Sequence, residues 1–237
     1  MLELEPAAPA PKQSARDYVY ELLRDHIVRL KLAPGQPLSE NEIAAKLQIS
    51  RTPIREALVR LSQEQLLEVL PQRGTYVSLI DLEEVEEARF VREQLEPAVV
   101  RLACERFSPD HLVQLDMNVL LFEKYVEERN YAKLFGLDIQ FHEILFAGSG
   151  KQRTWSIVHT LNAHLSRIRM LSLASAFNWS TIAAQHRAMV ECIRSGDADR
   201  AERIMKEHVT LIVHDQEALV RAYPTYFKNT KRGGDEQ

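Results

Sequence analysis

Residues 39–79 read SENEIAAKLQISRTPIREALVRLSQEQLLEVLPQRGTYVSL, and this stretch carries the start signals of two consecutive helices. Ser39 is followed by Glu42, a capping box that begins a short helix. Ser50 can cap a second helix after a brief break, and Pro53 falls in the first turn of that helix, where a missing N–H costs little. The stretch therefore predicts two helices joined by a tight turn.

A hairpin follows the second helix. Leu67–Leu70 and Thr75–Leu79 are predicted as short strands around residues 71–74, PQRG, a turn sequence in which glycine tolerates a positive φ. Helix, tight turn, helix and hairpin is the order of a winged helix-turn-helix, whose second helix enters the major groove of DNA.

The second helix has an apolar side and a basic end. The apolar positions that fall on one face, and are predicted to be buried, are Ile54, Leu58 and Leu61. Arg51 and Arg55 lie side by side at the N-terminal end, with Thr52 adjacent. Arginine forks suit guanine or phosphate, and threonine suits thymine or phosphate. A solvated basic face on an ordinary helical domain is the alternative, but the capping box, the proline and the Arg-Gly turn fall in register and favour DNA binding.

The segment RTPIREALVRL, together with residues 66–74, resembles the DNA-binding domain of GntR-type bacterial transcription regulators over roughly residues 14–79. The resemblance implies that the second helix reads bases or phosphates and that the glycine of the hairpin is the wing tip in the minor groove. Asn41 departs from the pattern, because some members have an arginine there that contacts DNA. The residues expected at the DNA are Ser39, Asn41, Arg51, Thr52, Arg55, Arg73 and Gly74.

Charge is distributed unevenly along the 237 residues, whose formal net charge is −4. Residues 46–80 hold five basic and three acidic residues, so the proposed DNA face is locally positive and its binding should depend strongly on salt. The two cysteines lie far apart without CxxC spacing, which indicates free thiols. No apolar run is long enough to cross a membrane and no signal peptide is recognisable, so no membrane association and a cytoplasmic location are expected.

Helical periodicity dominates both before the motif and after the wing. Ser14–Leu30 is an amphipathic helix, and a capping box at Asp81 opens the first of about six helices, in which Pro97 should cause a kink or a break. Helices are then predicted at about 108–129, 131–146, 152–173, 180–194 and 197–221. The expected fold is mainly α, with an N-terminal winged helix-turn-helix and a C-terminal antiparallel bundle. The expected domains are a disordered tail at 1–13, the DNA-binding domain at 14–80, an all-helical domain at 81–224 and a polar tail at 225–237.

Four polar residues interrupt apolar stripes of the bundle. Asp138 and His142 lie one turn apart on one predicted helix, and His186 and His208 lie on two others. A buried carboxylate needs a partner, and a single cation would satisfy all four side chains. The alternative is that each histidine bonds a backbone carbonyl or carboxylate and that the Asp–His pair is only a local hydrogen bond.

A second resemblance favours the metal. Residues 81–222 resemble the helical effector domain of the FadR-type branch of GntR regulators, the FCD domain, in VREQLEPAVVRLA, DIQFHEILFAGSGK and HRAMVECIRSGDADRAERIMKEHV. Many members bind a divalent metal through an Asp-x3-His pair and two later histidines, which are Asp138, His142, His186 and His208 in this chain. Three imidazoles and a carboxylate suit zinc, nickel or another borderline ion.

An arginine beside such a metal would trap a small organic acid. Arg92 matches the family's basic residue on the first helix of this domain, and Arg89 and Arg169 are further candidates. The alternative for Arg92 is a pair with Glu96 on the helix surface.

These patterns predict a homodimeric, ligand-responsive transcription regulator, more plausibly a repressor, that binds a palindromic operator and senses a small carboxylate at a metal site. A metal-dependent hydrolase or lyase is the rival, but Glu143 points about 100° away from His142 on an ideal helix and no other general base is evident. A helical assembly factor would leave the arginine-bearing helix unexplained.

Overall fold

A computed structural model describes residue 4 and residues 13–172, 179–211 and 216–228. These residues form two compact units. The first comprises the described residues up to Val85 together with Ala163–Met170 and residues 216–228. The second comprises Glu86–Asn162 and the described residues between Leu171 and residue 211. The predicted tail segments 1–3, 5–12 and 229–237 lie outside the described residues, as do His214 and residues 173–178.

The first unit contains the predicted winged helix-turn-helix. Its elements in chain order are α1 (Ala15–Val28), β1 (Pro37–Leu38), α2 (Glu40–Leu47), α3 (Arg51–Gln63), β2 (Leu67–Leu70) and β3 (Gly74–Val77). The sheet has the order β1-β3-β2 with antiparallel pairing. Strand β1 was not predicted, since a two-residue strand that begins with proline has no periodicity to detect.

The start of α2 confirms the capping signal, because Ser39 Oγ accepts a hydrogen bond from Glu42 N at 3.4 Å. Ser50 occupies the N-cap of α3 with extended backbone, yet its side chain makes no capping hydrogen bond. The apolar face of α3 is buried as predicted and packs with α1, leaving the arginine-bearing end at the surface. The core therefore fixes which side of α3 faces solvent.

The helices downstream run as follows: α4 (Leu82–Glu105), α5 (Pro109–Glu127), α6 (Tyr131–Gly148), α7 (Gln152–Leu161), α8 (Ala163–Ser172), α9 (Trp179–Ser195), α10 (Ala198–Thr210) and α11 (Gln216–Ala222). A single 3₁₀ turn, Pro224–Tyr226, follows α11. In the part of the chain described, no helix is long and apolar enough to cross a membrane.

Three boundaries differ from the sequence-based expectation. Of the kink or break predicted at Pro97, the break is wrong, since α4 continues as one helix across this buried proline. The helix expected at 152–173 is instead two helices that separate at Asn162, a residue type that favours helix ends. The last predicted helix is also two, α10 and α11, with residues 212–215 between them outside the described range.

Helix α8 is buried along most of its length, and residues Ala163–Met170 belong to the first unit. Arg167 is fully buried, and its Nη1 donates to Ser78 O at 2.6 Å. Its Nη2 lies 2.9 Å from His164 Nδ1. The Asp81 N–H also donates to His164 Nδ1, at 2.9 Å, while His164 Nε2 lies 3.2 Å from Gln65 O. The helix thus holds the chain segment that follows the wing.

The chain segment after α11 joins the same unit. Ile80 N donates to Tyr226 O at 2.8 Å, and Lys228 N donates to Ile80 O at the same distance. Phe227 is buried at 3% exposure, and Lys228 Nζ reaches Asp81 Oδ2 at 2.9 Å. Residues 225–228, placed in the expected polar tail, therefore contain one core residue.

The second unit has an apolar core built by helices α4, α5, α6, α7, α9 and α10. A smaller cluster around Phe122, Leu134 and Trp179 packs between α5, α6 and α9. Cys104 and Cys192 are free thiols, as expected. Burial raises the pKa of the Cys104 thiol to about 11, so it is protonated near neutrality.

Candidate DNA-binding and metal sites

The N-terminal end of α3 presents the predicted base-reading residues to solvent. Arg51 and Thr52 are exposed. Arg55 is also exposed, and its guanidinium donates to Glu40 on α2, with Nη2–Oε2 at 3.1 Å and Nε–Oε1 at 3.3 Å. The hydrogen bonds and charge of Glu40 raise the pKa of Arg55. The pair orients Arg55 in the free protein, and an exposed pair of this kind is weak enough to be exchanged for phosphate or a base.

The wing tip and the first helix of the motif complete this surface. Gly74 has φ +109°, a conformation that other residues rarely adopt, and both it and Arg73 are exposed. Asn41 is exposed in the first turn of α2, whereas Ser39 is half-buried and its hydroxyl is engaged in the helix cap. All seven predicted DNA residues therefore lie in α2, α3, the wing or their caps, and Ser39 is the one whose side chain caps a helix.

Asp138, His142, His186 and His208 converge inside the second unit. Helix α6 supplies the first two, α9 supplies His186 and α10 supplies His208. Each is at most 2% exposed, and one ligand atom from each lies within 4.8 Å of all the others. Nitrogen and oxygen ligands about 2.1 Å from one ion lie roughly 3–4 Å apart, so a small contraction would complete the set.

Two neighbouring side chains fix the orientation of two imidazoles. His142 Nδ1 lies 2.8 Å from Glu96 Oε2, and His208 Nδ1 lies 3.0 Å from Gln185 Oε1. Because both partners are acceptors, each Nδ1 carries the proton and each Nε2 presents a lone pair. The sequence did not reveal these two partners; Glu96 was considered only as a surface partner of Arg92, and Gln185 has no distinguishing pattern.

The lone pairs of the two imidazoles meet at the centre of the cluster. His142 Nε2 and His208 Nε2 are 3.1 Å apart. Oxygens of Asp138 lie 3.9 Å from His142 Nε2, 3.8 Å from His208 Nε2 and 3.5 Å from His186 Nε2. Electron-rich atoms that face one another in a buried site are stabilised by a cation, so the donor set fits a divalent metal.

Burial and neighbouring rings define the surroundings of His208 and His186. Desolvation lowers the pKa of His208 well below its usual value, and His186 and His142 add to this effect. The His186 ring stacks on Phe141, with centroids 3.9 Å apart and planes 3° from parallel. Neutral imidazole is the form that binds metals, so the lowered pKa of His208 favours its use as a ligand.

Arg92 and Glu96 form a buried pair next to the cluster. Arg92 Nε donates to Glu96 Oε1 at 2.6 Å, and Arg92 Nη2 lies 3.2 Å from His142 Nε2. Burial alone would raise the pKa of Glu96, but the Arg92 guanidinium beside it outweighs burial and, together with the contact to His142, holds this pKa well below its usual range. The pair with Glu96 considered from the sequence is therefore present, but in the interior rather than on the helix surface.

The other two arginine candidates lie elsewhere. Arg89 is partly exposed and pairs with Glu86 and Glu93 of its own helix at 2.6 Å each. Arg169 is buried on α8, among the residues of the first unit. Arg92 is therefore the arginine of the second unit whose guanidinium contacts a metal-ligand candidate. Glu143, which follows His142, is exposed, in agreement with the expectation that it cannot serve as a general base there.

Comparison with known proteins gives two family matches. Residues 15–77 match the model of bacterial regulatory proteins of the gntR family, and residues 87–211 match the FCD domain. The first span covers α1 to β3, and the second includes all four metal-ligand candidates and Arg92.

Curated relatives and a solved structure agree with these matches. The chain is 32% identical over 199 residues to the HTH-type transcriptional repressor RspR of Escherichia coli K12, covering 84% of this chain and 87% of the relative. It is 34% identical to an uncharacterised HTH-type transcriptional regulator in an unstable DNA locus of Streptomyces ambofaciens, covering 88% of each chain. The structure of E. coli McbR/YncC superposes with a TM-score of 0.73 at 20% identity, covering 89% of this chain and 99% of that one, which shows a shared fold.

Proposed function

Because this chain belongs to the gntR family of bacterial regulatory proteins and carries an FCD domain, it is a transcription regulator and not an enzyme, and we propose that it is a homodimeric repressor that senses a small carboxylate at a divalent-metal site. The winged helix-turn-helix supplies the DNA-binding half of this function. The observation that carries the sensing half is the buried convergence of Asp138, His142, His186 and His208.

The DNA contacts proposed for each protomer come from α3 and the wing. Arg51, Thr52 and Arg55 would reach base edges or phosphates in the major groove, while Arg73 and Gly74 would approach the minor groove. A homodimer would present two such surfaces, and its two-fold symmetry would match a palindromic operator. We favour repression over activation because the E. coli relative RspR is named a transcriptional repressor.

The substitutions Arg51→Ala and Arg55→Ala test the DNA surface. Each should weaken binding by about 1–3 kcal/mol, because each removes one guanidinium from the groove or the backbone. The probe is the duplex that the wild-type protein enriches from sheared genomic DNA, titrated in a gel shift at fixed salt.

Arg106→Ala is the matched control for this titration. Arg106 is an exposed arginine of the second unit, so its loss changes the net charge equally without touching α3. Operator affinity that is unchanged in both α3 variants would contradict the assignment.

The metal proposal rests on the donor set and on its supporting side chains. The two Nδ1–acceptor contacts of His142 and His208 leave Nε2 as the free ligand atom on each ring. Zinc or nickel would accept this mixture of imidazole and carboxylate. A bound ion would supply the positive charge that Arg92 Nη2 now brings to His142 Nε2.

Graded loss of metal tests the site. His186→Ala removes one ligand and should abolish stoichiometric metal in the purified protein. Glu96→Gln keeps all four ligands but weakens the support of His142, so metal affinity should fall by roughly 10-fold to 100-fold. Elemental analysis gives the content, and competition with a chromophoric chelator gives the affinity.

His159→Gln is the control, since it removes an imidazole of α7 that is not among the four ligand candidates. Wild-type protein that takes up no divalent metal from zinc or nickel solutions, or His186→Ala protein that binds it as tightly, would refute the metal site.

Charge balance indicates the class of effector. Arg92 and Glu96 cancel each other, and a divalent ion would leave one positive charge in excess over Asp138. An ion with open coordination positions would therefore attract a carboxylate, and Arg92 Nη2, displaced from His142 by the ion, could donate to the same group. Arg89 and Arg169 were further candidates, and the contacts of Arg89 with two glutamates make it the weaker of the arginines on α4.

A further inference from the structure

A cavity of about 340 Å³ opens in the first unit, at the end of the wing opposite its tip. Strand β2, the segment that follows β3, helix α8 and the chain after α11 all contribute to its walls. Leu67, Val69 and Leu79 form an apolar part of the lining, while Ser78 and Lys228 belong to a polar part. The cavity therefore combines the two kinds of surface that a small amphipathic ligand needs.

A buried guanidinium stands directly behind this lining. Arg167 is fully buried and contacts two lining residues: Nη2 donates to Ser78 Oγ at 3.2 Å and lies 2.9 Å from His164 Nδ1. Arg24 and Arg92, which are also buried, each contact a glutamate carboxylate. Among the described residues, by contrast, Arg167 contacts uncharged atoms only. A buried charge without a counter-ion is unfavourable, so an anion near it would be stabilised.

The two carboxylates that line the cavity do not supply this counter-ion. Asp81 Oδ2 is 2.9 Å from Lys228 Nζ, and Asp81 Oδ1 accepts the Glu83 N–H at 3.0 Å. Glu68 is exposed, so water and salt screen its charge. Because Asp81 and Lys228 cancel each other, the positive charge of Arg167 is left in excess on the buried side of the cavity.

Hydrogen-bond donors with unused capacity lie on the same lining. Ser78 Oγ accepts from Arg167 Nη2, which leaves the O–H of Ser78 able to donate to a ligand. The ammonium of Lys228 has three N–H groups, and Asp81 accepts from one of them. Donors beside an unbalanced positive charge select an acceptor that is negative, and a carboxylate meets both conditions.

We propose that this cavity binds a small organic carboxylate about the size of benzoate, with its charged end at Ser78 and Lys228 and its apolar body against the leucine and valine side chains. The site shares no residue with the candidate metal site, so it goes beyond the proposed function and does not depend on it. An occupant would contact both β2 and α8, and would thereby tie the wing to the buried helix of its own unit.

A comparison of benzoate with benzamide tests whether the site requires a negative charge. The two molecules have nearly the same shape, but only benzoate carries the charge that Arg167 would stabilise. In ligand-observed NMR titrations of the full-length chain, benzoate should bind at least about 10-fold more tightly than benzamide. This comparison leaves Arg167 in place, which matters because Arg167 also holds the segment after the wing.

Two substitutions test the position of the site. Lys228→Gln removes a charged donor and should raise the benzoate dissociation constant at least about 10-fold. Val69→Trp fills the cavity from an exposed position on β2 and should weaken benzoate binding by at least as much. Lys206→Gln is the matched control and should change nothing, since the side chain of Lys206 is 58% exposed against 59% for Lys228 and also pairs with a carboxylate.

The His186→Ala variant separates this site from the proposed metal site. It lacks one metal-ligand candidate of the second unit, yet it should bind benzoate with wild-type affinity. Loss of binding in His186→Ala would assign benzoate to the metal and overturn the cavity proposal. Absence of benzoate binding to the wild-type chain, equal affinity for benzamide, or affinity that survives both Lys228→Gln and Val69→Trp would also overturn it. Benzoate binding in metal-free protein that Lys228→Gln weakens would support the cavity even if the metal site fails.

Discussion

His164 illustrates how a buried residue can be fixed in one protonation state. Its Nδ1 accepts the Asp81 N–H and its Nε2 faces the Gln65 carbonyl, so the neutral ring satisfies a donor and an acceptor at once. Desolvation by burial lowers the pKa of His164 to about 3, and the nearby charge of Arg167 acts in the same direction. Burial also lowers the pKa of Arg167, to about 9, so that guanidinium is still charged near neutrality.

The depressed pKa of His164 predicts acid sensitivity of the first unit. An unfolded histidine titrates near 6.5, so between pH 6.5 and about 3 the unfolded chain binds a proton that the folded chain excludes. The free energy of unfolding should therefore be highest above pH 6.5 and should fall with acidification, by up to about 1.4 kcal/mol per pH unit from this residue.

His164→Gln isolates that contribution. Glutamine does not titrate, so the difference in unfolding free energy between wild type and variant, measured by urea denaturation, should shrink as the pH falls from 7 to 4. A difference that is independent of pH would show that His164 is not held neutral in the folded state.

At the scale of elements, periodicity predicted most of the helices and the winged helix-turn-helix, because amphipathic faces, caps and turn residues are local signals. Periodicity failed where tertiary packing decides whether a helix continues or ends. Helix α4 runs through Pro97, which is buried together with Glu96, Val99 and Val100, whereas α7 and α8 separate at Asn162 although the apolar pattern is continuous.

The candidate metal site was predictable in part for the same reason. Asp138 and His142 are one helical turn apart, a local relation, and the other two histidines interrupt otherwise apolar stripes. Glu96 and Gln185 support the ligands from α4 and α9, and their proximity to His142 and His208 results from helix packing, which sequence spacing does not encode.

At the scale of the whole molecule, the proposed sensing requires a coupling free energy between the effector site and the DNA-binding surface. Helix α4 passes from the first unit into the second between Val85 and Glu86, and α8 passes between the units at Met170 and Leu171. Under the proposed function, a carboxylate that binds one state of the protein more tightly shifts the population toward that state, and operator affinity changes to the extent that the two states differ in it.

This coupling makes a reciprocal prediction. With zinc-loaded protein, citrate should change operator affinity by roughly 5-fold to 150-fold, and operator DNA should change citrate affinity by the same factor in the same sense. Fluorescence anisotropy measures the first and calorimetry the second. His186→Ala protein, without its metal, should show neither effect, and an equal response in that variant would separate sensing from the metal.

The hydrogen bond from Arg167 to Ser78 has a practical consequence for fusing this winged helix-turn-helix to the sensor domain of another protein. A chimera joined just after the wing would omit the stretch Ala163–Met170 and leave the carbonyl of Ser78 and the amide of Asp81 without their covering helix. The first unit is discontinuous in the gene, so a functional transplant would have to carry both Ala163–Met170 and residues 216–228 along with the N-terminal segment.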